Sequence, residues 1–215
     1  MDTVFKVLGY AIYTGLGVIA LWGIYCIVQV WRRVAQKQYK TEGEQDEFLD
    51  AVEDPLLQGQ FDAAVELCMD KQQAMAQLAK LALVNRKVGY QRVRQLVLDR
   101  FQRDVLADLE YRLSWVNTVV KSAPMLGLLG TVIGMINAFQ TIAGSGKQGV
   151  DPSALADDIG VALFTTAIGL TVAIPMTVLG AMVSVRIGKL SDGVQEQVGR
   201  FVDDLDAIRA SGKGA

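Results

Sequence analysis

Two threonines in long apolar stretches are the residues of this sequence best suited to handle a proton or an ion. Thr131 lies in "LGLLGTVIGMINAF" and Thr166 in "ALFTTAIGL". A hydroxyl can hydrogen-bond a proton carrier, but it cannot hold the charge itself. Thr131 lies eighteen residues before Gly149, and Thr166 lies seventeen residues after it. In an antiparallel hairpin connected near Gly149, the two hydroxyls would therefore lie at nearly the same depth, where they could pair or line a narrow polar path.

Small residues accompany both threonines at the spacing that places residues on one face of a helix. The first face consists of Pro124, Gly127, Thr131, Gly134 and Ala138, and the second of Ala162, Thr166, Gly169, Ala173, Thr177, Gly180 and Ser184. Membrane helices associate through small residues and interhelical hydroxyl bonds, because lipid provides no hydrophobic drive between helices. The pattern therefore favours helix packing for most of these residues, and a polar path past Thr131 and Thr166 is the sharper alternative.

One further packing residue, Gly130, and three secondary polar candidates, Thr165, Asn137 and Lys121, lie in the same stretches. Gly130 suits close helix packing, and Asn137 lies nearer the outer end, where a structural role is expected. Thr165 precedes Thr166 but points about 100° away from it on a helix. Lys121 lies at the beginning of its stretch, from which its ammonium group can reach the membrane interface.

Three predicted transmembrane helices position these residues. The chain has 215 residues, is 51% hydrophobic and has a net charge of -2, and its mean hydropathy is +0.28. Apolar stretches at 4–31, 115–143 and 155–187 each exceed the ~20 residues that one crossing needs. The second and third would each be about 45 Å long, more than the hydrocarbon core requires. The predicted fold class is an all-α membrane protein with three transmembrane helices, two of them long and extending into a cytoplasmic helical domain.

Basic residues flank the spans asymmetrically. Arg32, Arg33, Lys37 and Lys40 follow the first span, and Arg186 and Lys189 mark the end of the third. Because basic residues concentrate on the cytoplasmic side, the N-terminus is predicted to be periplasmic and the C-terminus cytoplasmic. The N-terminus has no basic n-region, so the first span is predicted to be retained rather than cleaved as a signal peptide. The predicted segments are a periplasmic N-terminus and first transmembrane helix (1–31), a cytoplasmic helical domain (32–112), a second transmembrane helix (113–143), a short periplasmic loop (144–154), a third transmembrane helix (155–190), and a cytoplasmic C-terminal helix and tail (191–215).

The segment between the first two spans is predicted to be helical, with a break near Pro55 and Gly59. After Gly89 the sequence contains no helix breaker, so one long helix is expected to run into the second span. The C-terminal segment has an apolar face that suits docking against this long helix or against a neighbouring copy. That face consists of Val194, Val198, Phe201, Val202, Leu205 and Ile208.

Catalytic and metal chemistry find no support in the sequence. The chain contains no histidine, which removes histidine-based triads and most zinc and haem sites. Cys26 and Cys68 lie far apart without metal-ligand spacing, and both are predicted to be reduced thiols in apolar gaps. The acidic pair Asp203 and Asp204 lies on the polar face of an amphipathic helix. We therefore predict no enzyme activity, no catalytic residue, no cofactor, no metal and no nucleic-acid partner.

Acidic residues are absent from the core of all three predicted spans. Asp157 and Asp158 lie at the outer mouth of the third. If protons cross the membrane here, the group that binds and releases them inside it must come from another chain, because hydroxyls cannot hold the charge.

The stretches "SAPMLGLLGTVIGMINAF" and "ALFTTAIGLTVAIP" resemble the two signature helices of the MotA/TolQ/ExbB proton channel family, and ExbB-type biopolymer transport proteins most closely. Three predicted spans favour the ExbB/TolQ branch over four-span flagellar members. The resemblance implies an inner-membrane homopentamer around a dimer of single-span ExbD/TolR-like helices that carry an acidic residue. Proton flow would energise a TonB- or TolA-like protein. By position, Thr131 and Thr166 match the family's pore-lining threonines, which face the partner's carboxylate.

One position departs from the family pattern. Many ExbB and TolQ proteins carry a glutamate five residues before the threonine that matches Thr166, and this chain has Val161 there. That glutamate cannot be essential to a proton path in this protein. Three hypotheses follow: a proton-driven motor subunit of the ExbB or TolQ type, a membrane scaffold without ion flow, and a channel that works alone. The last is disfavoured by the lack of an intramembrane charge.

Overall fold

The computed structural model describes residues 2–39, 42–69, 71–144 and 152–210, and within these ranges it contains helices and no strand. The prediction of an all-α chain is confirmed. Seven α-helices follow one another in these ranges: α1 (Asp2–Lys37), α2 (Glu42–Leu57), α3 (Phe61–Leu67), α4 (Ala74–Val84), α5 (Tyr90–Arg100), α6 (Ala107–Gly144) and α7 (Pro152–Ala210). A short 3-10 helix (Arg86–Val88) precedes α5, and a π-helical segment (Phe101–Leu106) joins α5 to α6. Most of the predicted periplasmic loop at 144–154 lies outside the described residues.

Among the residues that the structure describes, three helices are long and apolar enough to cross a membrane: Val7–Lys37, Tyr90–Gly144 and Leu155–Ile208. The prediction of three such helices is confirmed. The second and third contain 55 and 54 residues, which at 1.5 Å per residue is roughly 80 Å and far more than one crossing needs.

The chain forms two compact units. The first consists of Met1–Gln29 with Arg112–Met182, and the second consists of Val30–Tyr111 with Val183–Ala215. The predicted hairpin of the second and third spans therefore lies in the first unit, and helices α2 to α5 lie in the second.

In the first unit, α1 packs against both helices of the hairpin. Its closest approach is at Gly23, where an added Cβ would lie 2.7 Å from the Met176 methyl carbon and 2.8 Å from a Val119 methyl carbon. Cys26 is buried in the same apolar cluster as a free thiol. The absence of a side chain at Gly23 thus lets three helices meet.

In the second unit, the predicted helix break near Pro55 and Gly59 is confirmed, because α2 ends at Leu57, between these two residues. Pro55 lies inside α2, which continues to Leu57. Gly59 has a positive φ of 75°, the Gln60 amide donates to the Pro55 carbonyl, and the Gly59 amide donates to the Leu56 carbonyl. This is a Schellman motif, in which a left-handed glycine satisfies the last helix carbonyls.

The predicted long helix after Gly89 is present, with a π-helical segment within it. Its buried residues recur every fourth position, at Val93, Val97, Phe101, Val105 and Leu109. Strict spacing of four advances the buried face by about 40° per step in a regular α-helix. A wider π turn, with its i to i+5 hydrogen bonds, takes up this excess.

The C-terminal apolar face is buried within the chain itself. All six of its predicted residues are buried, from Val194 to Ile208. The Tyr90 hydroxyl donates to an Asp203 carboxylate oxygen at 2.5 Å, so α7 docks at the beginning of the long helix. This hydrogen bond raises the pKa of Tyr90. Of the two predicted docking partners, the long helix is the one observed.

Candidate functional site

Helices α6 and α7 approach each other so closely that their backbones touch, along a surface that we call the α6–α7 seam. An added Cβ at Gly127 would lie 2.9 Å from the Thr165 carbonyl oxygen, and one at Gly169 would lie 2.6 Å from the Ala123 carbonyl oxygen. At Gly134 an added Cβ would collide with the Cβ of Ala162. Because the neighbours at Gly127 and Gly169 are backbone atoms, they cannot move aside as a flexible side chain would.

The two predicted threonines meet in this seam. Their Oγ1 atoms lie 2.5 Å apart, within hydrogen-bond distance. Both side chains are half-buried. The Thr166 hydroxyl also lies 3.0 Å from the Gly127 carbonyl oxygen, and that of Thr131 lies 3.3 Å from the carbonyl oxygens of Gly127 and Ala162. The two hydroxyls thus share one depth in the hairpin and pair with each other.

Thr165 belongs to the same cluster. It is 3% exposed and is the one buried polar side chain among the residues whose burial the structure describes. Its hydroxyl lies 2.7 Å from the Ala162 carbonyl oxygen and 3.1 Å from that of Gly127. Sequence reasoning placed it about 100° from Thr166, but that angle does not separate the two hydroxyls. Both reach the Gly127 carbonyl because glycine at 127 and 130 brings the α6 backbone close to α7.

The other predicted residues occupy varied positions. Gly130, Ala138 and Ala173 are buried, Pro124 and Asn137 are half-buried, and Lys121 is exposed. The small-residue face expected on α7 needs one correction. Thr177 and Ser184 are exposed, and the buried face passes through Met176 and Val183 instead. Both faces follow 3- and 4-residue helical spacing, and Met176 is buried because it packs in one apolar cluster with Cys26 of α1 and Val119 of α6.

A further polar contact, which sequence reasoning missed, lies at the end of the seam near the beginning of α7. The Thr141 hydroxyl donates to a carboxylate oxygen of Asp158 at 3.2 Å. Asp158 is half-buried, and its neighbour Asp157 is exposed. The signal was its spacing, because Asp158 lies one turn before Ala162 on the same face.

Metal binding has no basis in the described part of the chain, where no three His, Cys, Asp or Glu side chains cluster. Cys68 is a buried free thiol, and burial raises its pKa to about 11. The thiol is therefore protonated at neutral pH, as the prediction of a thiol in an apolar gap requires.

Known proteins share this hairpin and the segment before it. Residues 68–196 match the MotA/TolQ/ExbB proton channel family. The chain belongs to this family. This membership agrees with the resemblance of the two signature stretches. The family is one of proton channels rather than of enzymes. With three candidate membrane helices, this is a multi-pass protein of the inner membrane.

Individual relatives carry ExbB and TolQ names. The chain is 29% identical over 180 residues to a putative biopolymer transport protein ExbB homolog of Methanothermobacter thermautotrophicus, covering 82% of this chain and 62% of that one. It is 31% identical over 151 residues to the biopolymer transport protein ExbB of Xanthomonas campestris, covering 68% and 57%. It is 31% identical over 120 residues to the Tol-Pal system protein TolQ of Haemophilus influenzae, covering 56% and 48%. The matched region spans less than two thirds of each of these relatives.

Proposed function

We propose that this protein is the pore-forming subunit of an ExbB-like motor, driven by the proton-motive force in the inner membrane. With a single-span ExbD-like partner it would energise a TonB-like protein for transport across the outer membrane. The hydroxyl pair of Thr131 and Thr166 carries this proposal. It places paired hydrogen-bonding groups inside a membrane hairpin that otherwise packs through glycine and alanine.

The partner supplies what the hairpin lacks. A hydroxyl hydrogen-bonds a protonated or ionised carboxyl group but holds no charge itself. In the span segments 115–143 and 155–187, Asp157 and Asp158 are the acidic residues, and both lie near the beginning of α7. We therefore assign the proton-binding carboxylate to the ExbD-like helix and the hydrogen-bonding surface around it to Thr131 and Thr166.

The proposed path does not need an acid at position 161. Val161 is 54% exposed in the single chain. An apolar side chain there neither binds a proton nor interrupts the pair at Thr131 and Thr166.

The orientation proposed for the chain follows from its basic residues. Arg32, Arg33 and Lys37 come at the end of α1, and Arg186 and Lys189 follow the apolar part of the third span. The guanidinium of Arg186 lies over the Trp31 ring, 3.8 Å from its centroid, a pairing suited to the aromatic and basic belt of a membrane interface. We therefore propose that α2 to α5 and the end of α7 are cytoplasmic and that the N-terminus is periplasmic.

Assembly into a homo-oligomer is the remaining part of the proposal, with five copies by family resemblance. The hairpin exposes a broad apolar surface in the single chain. It includes Met125, Leu128, Val132, Phe139, Leu163, Phe164, Ile174 and Val178. Some of these side chains would face lipid and others a neighbouring copy. The energy available is about 2.3 kcal/mol per charge for each 100 mV of membrane potential.

A TolQ-like role in envelope integrity is the second candidate, favoured by the similarity to the Haemophilus influenzae TolQ protein. The two candidates share the motor and differ in the protein that it drives, TolA-like rather than TonB-like. A scaffold without ion flow is the competing class of function.

Proton uptake into liposomes separates the motor from the scaffold. The protein is reconstituted alone and with its ExbD-like partner, and uptake is measured at a fixed potential with H⁺ or with Na⁺ as the permeant cation. The motor predicts H⁺ uptake that requires both chains and is abolished by Thr131→Val with Thr166→Val, while the oligomer still forms. An assembled wild-type complex that passes no proton would instead support the scaffold.

A further inference from the structure

The three seam hydroxyls have fewer hydrogens than acceptors within reach. Thr131, Thr165 and Thr166 each provide one hydrogen, whereas each oxygen can accept two hydrogen bonds. The acceptors are the carbonyl oxygens of Gly127 and Ala162 and the oxygens of the threonine pair. The arrangement adopted depends on which hydroxyl donates to which carbonyl.

The distances favour one arrangement. Thr165 lies closer to the Ala162 carbonyl, at 2.7 Å, than to the Gly127 carbonyl, at 3.1 Å. Thr166 lies 3.0 Å from the Gly127 carbonyl. When these two donors take the two carbonyls, the hydrogen of Thr131 is left with the Thr166 oxygen, 2.5 Å away. Its alternatives, both at 3.3 Å, are the Gly127 and Ala162 carbonyls. Each of these carbonyls already accepts a backbone N–H of its own helix and one hydroxyl, so both of its lone pairs are used.

We propose that Thr165 is a positioning residue: by donating to the Ala162 carbonyl, it directs the hydrogen bond of the pair from Thr131 to Thr166. Without the Thr165 hydroxyl, the Ala162 carbonyl becomes open to Thr131, and the pair can reverse. This inference rests on the proposed function for its effect on proton flow, but the hydrogen-bond coupling itself does not.

The direction of this hydrogen bond determines what the pair offers to another molecule. Thr131 donates to Thr166 and accepts nothing from the cluster, so its half-buried oxygen keeps lone pairs for an outside donor. All three hydroxyl hydrogens are already used within the seam. The cluster is therefore an acceptor surface, and the chemical group it fits is a protonated carboxyl group rather than a carboxylate.

Two substitutions at position 165 distinguish the effect of the Thr165 hydroxyl from the effect of its side-chain packing. Thr165→Val keeps the branched shape that contacts Gly130 and removes the donor, whereas Thr165→Ser keeps the donor and removes the methyl group. Thr171→Val is the matched control, because Thr171 is exposed and donates only within its own helix, to the Ala167 carbonyl at 2.8 Å. Each variant is reconstituted with the ExbD-like partner and measured for proton uptake at equal assembly.

We expect Thr165→Val to lower proton uptake by about tenfold, and Thr165→Ser and Thr171→Val to stay within about twofold of wild type. In a Thr166→Val background, Thr165→Val should cause no further loss, because the bond that it directs is already gone. The positioning role would be overturned if the losses of proton uptake caused by Thr165→Val and Thr166→Val multiply in the double variant. It would also be overturned if Thr165→Ser and Thr165→Val lower proton uptake equally at equal assembly.

A second readout does not depend on conduction. The thermal unfolding midpoints of Thr165→Val, Thr131→Val and the double variant form a double-mutant cycle. A coupled network predicts non-additive shifts, and additive shifts would refute it. If the wild-type complex conducts no protons, the proposed motor fails, and this cycle still tests whether the Thr165 and Thr131 hydroxyls are coupled.

Discussion

Helix α7 packs through two kinds of surface along its length. Up to Met182, in the first unit, its buried positions include Ala162, Thr165, Gly169 and Ala173. From Val183 onward, in the second unit, they are large and apolar, at Val183, Ile187, Leu190, Val194, Val198, Phe201, Val202, Leu205 and Ile208. The spacing is helical in both parts, but the size and polarity of the buried residues change.

The proposed topology, with the first unit in the lipid bilayer and the second in water, accounts for this change. A hairpin surrounded by lipid gains nothing from burying apolar side chains, so its helices depend on close backbone approach and internal hydroxyl bonds. A helix surrounded by water gains about 25 cal/mol for each Å² of apolar surface that it buries, which favours large side chains. Hydroxyl groups in the α6–α7 seam therefore contribute to helix packing and are also available for function.

The largest loss of stability is expected in the second unit, because we take its stability to come from buried apolar side chains. Leu83 is fully buried, and Leu83→Ala should lower the free energy of unfolding by about 2–5 kcal/mol. Leu96→Ala, at a position 42% exposed, is the comparison and should cost much less. Denaturant unfolding in detergent measures both. Equal losses would mean that buried volume does not stabilise this unit.

The next effect tests close approach in the first unit. Gly169→Ala would push a methyl group against the Ala123 carbonyl oxygen and should destabilise the hairpin by about 1–3 kcal/mol. Gly160→Ala has open space around it and is the matched control in the same helix. Thermal unfolding of the two variants gives the comparison. A Gly169→Ala protein as stable as the control would show that the seam does not need its glycine.

A smaller effect is expected from a surface contact of the second unit. Arg186→Gln removes the cation over the Trp31 ring and should cost about 0.5–1 kcal/mol. Lys189→Gln removes the same charge one turn further along α7 and controls for net charge. Denaturant midpoints of the two variants should differ by this amount, and identical midpoints would assign no stability to the ring contact.

The smallest effect at neutral pH concerns Cys68. Burial raises its pKa to about 11 from an ordinary value of 9.0, so its contribution to stability is full below pH 9 and declines as the pH rises toward 11. Thiolate absorbance is measured against pH for the Cys26→Ala variant and for the Cys26→Ala/Cys68→Ala variant, and the difference between the two curves reports Cys68 alone. In the folded protein this difference should titrate at a pKa of about 11. Titration near 9.0 would show that Cys68 is not desolvated.

The sequence predicts a large part of this architecture because its signals are local. Apolar length predicts the three long helices, and nearly equal distances along the chain from Gly149 predict that Thr131 and Thr166 lie at the same depth. Other features depend on contacts that no single stretch contains. The π-helical segment at Phe101–Leu106 keeps distant buried faces in register, and the place of Thr165 follows from how closely α6 approaches.

The central claim is that the hydroxyl pair in the α6–α7 seam lies on the route of the proton. The most direct test compares proton uptake by liposomes containing Thr166→Val with uptake by liposomes containing Thr171→Val, each with the ExbD-like partner and at equal assembly. Both substitutions replace a threonine hydroxyl with a methyl group in the same helix, one within the pair and the other on an exposed face. We predict that uptake is lost in Thr166→Val and preserved in Thr171→Val. Equal uptake by the two assembled complexes would contradict the claim and leave Thr166 as a packing residue.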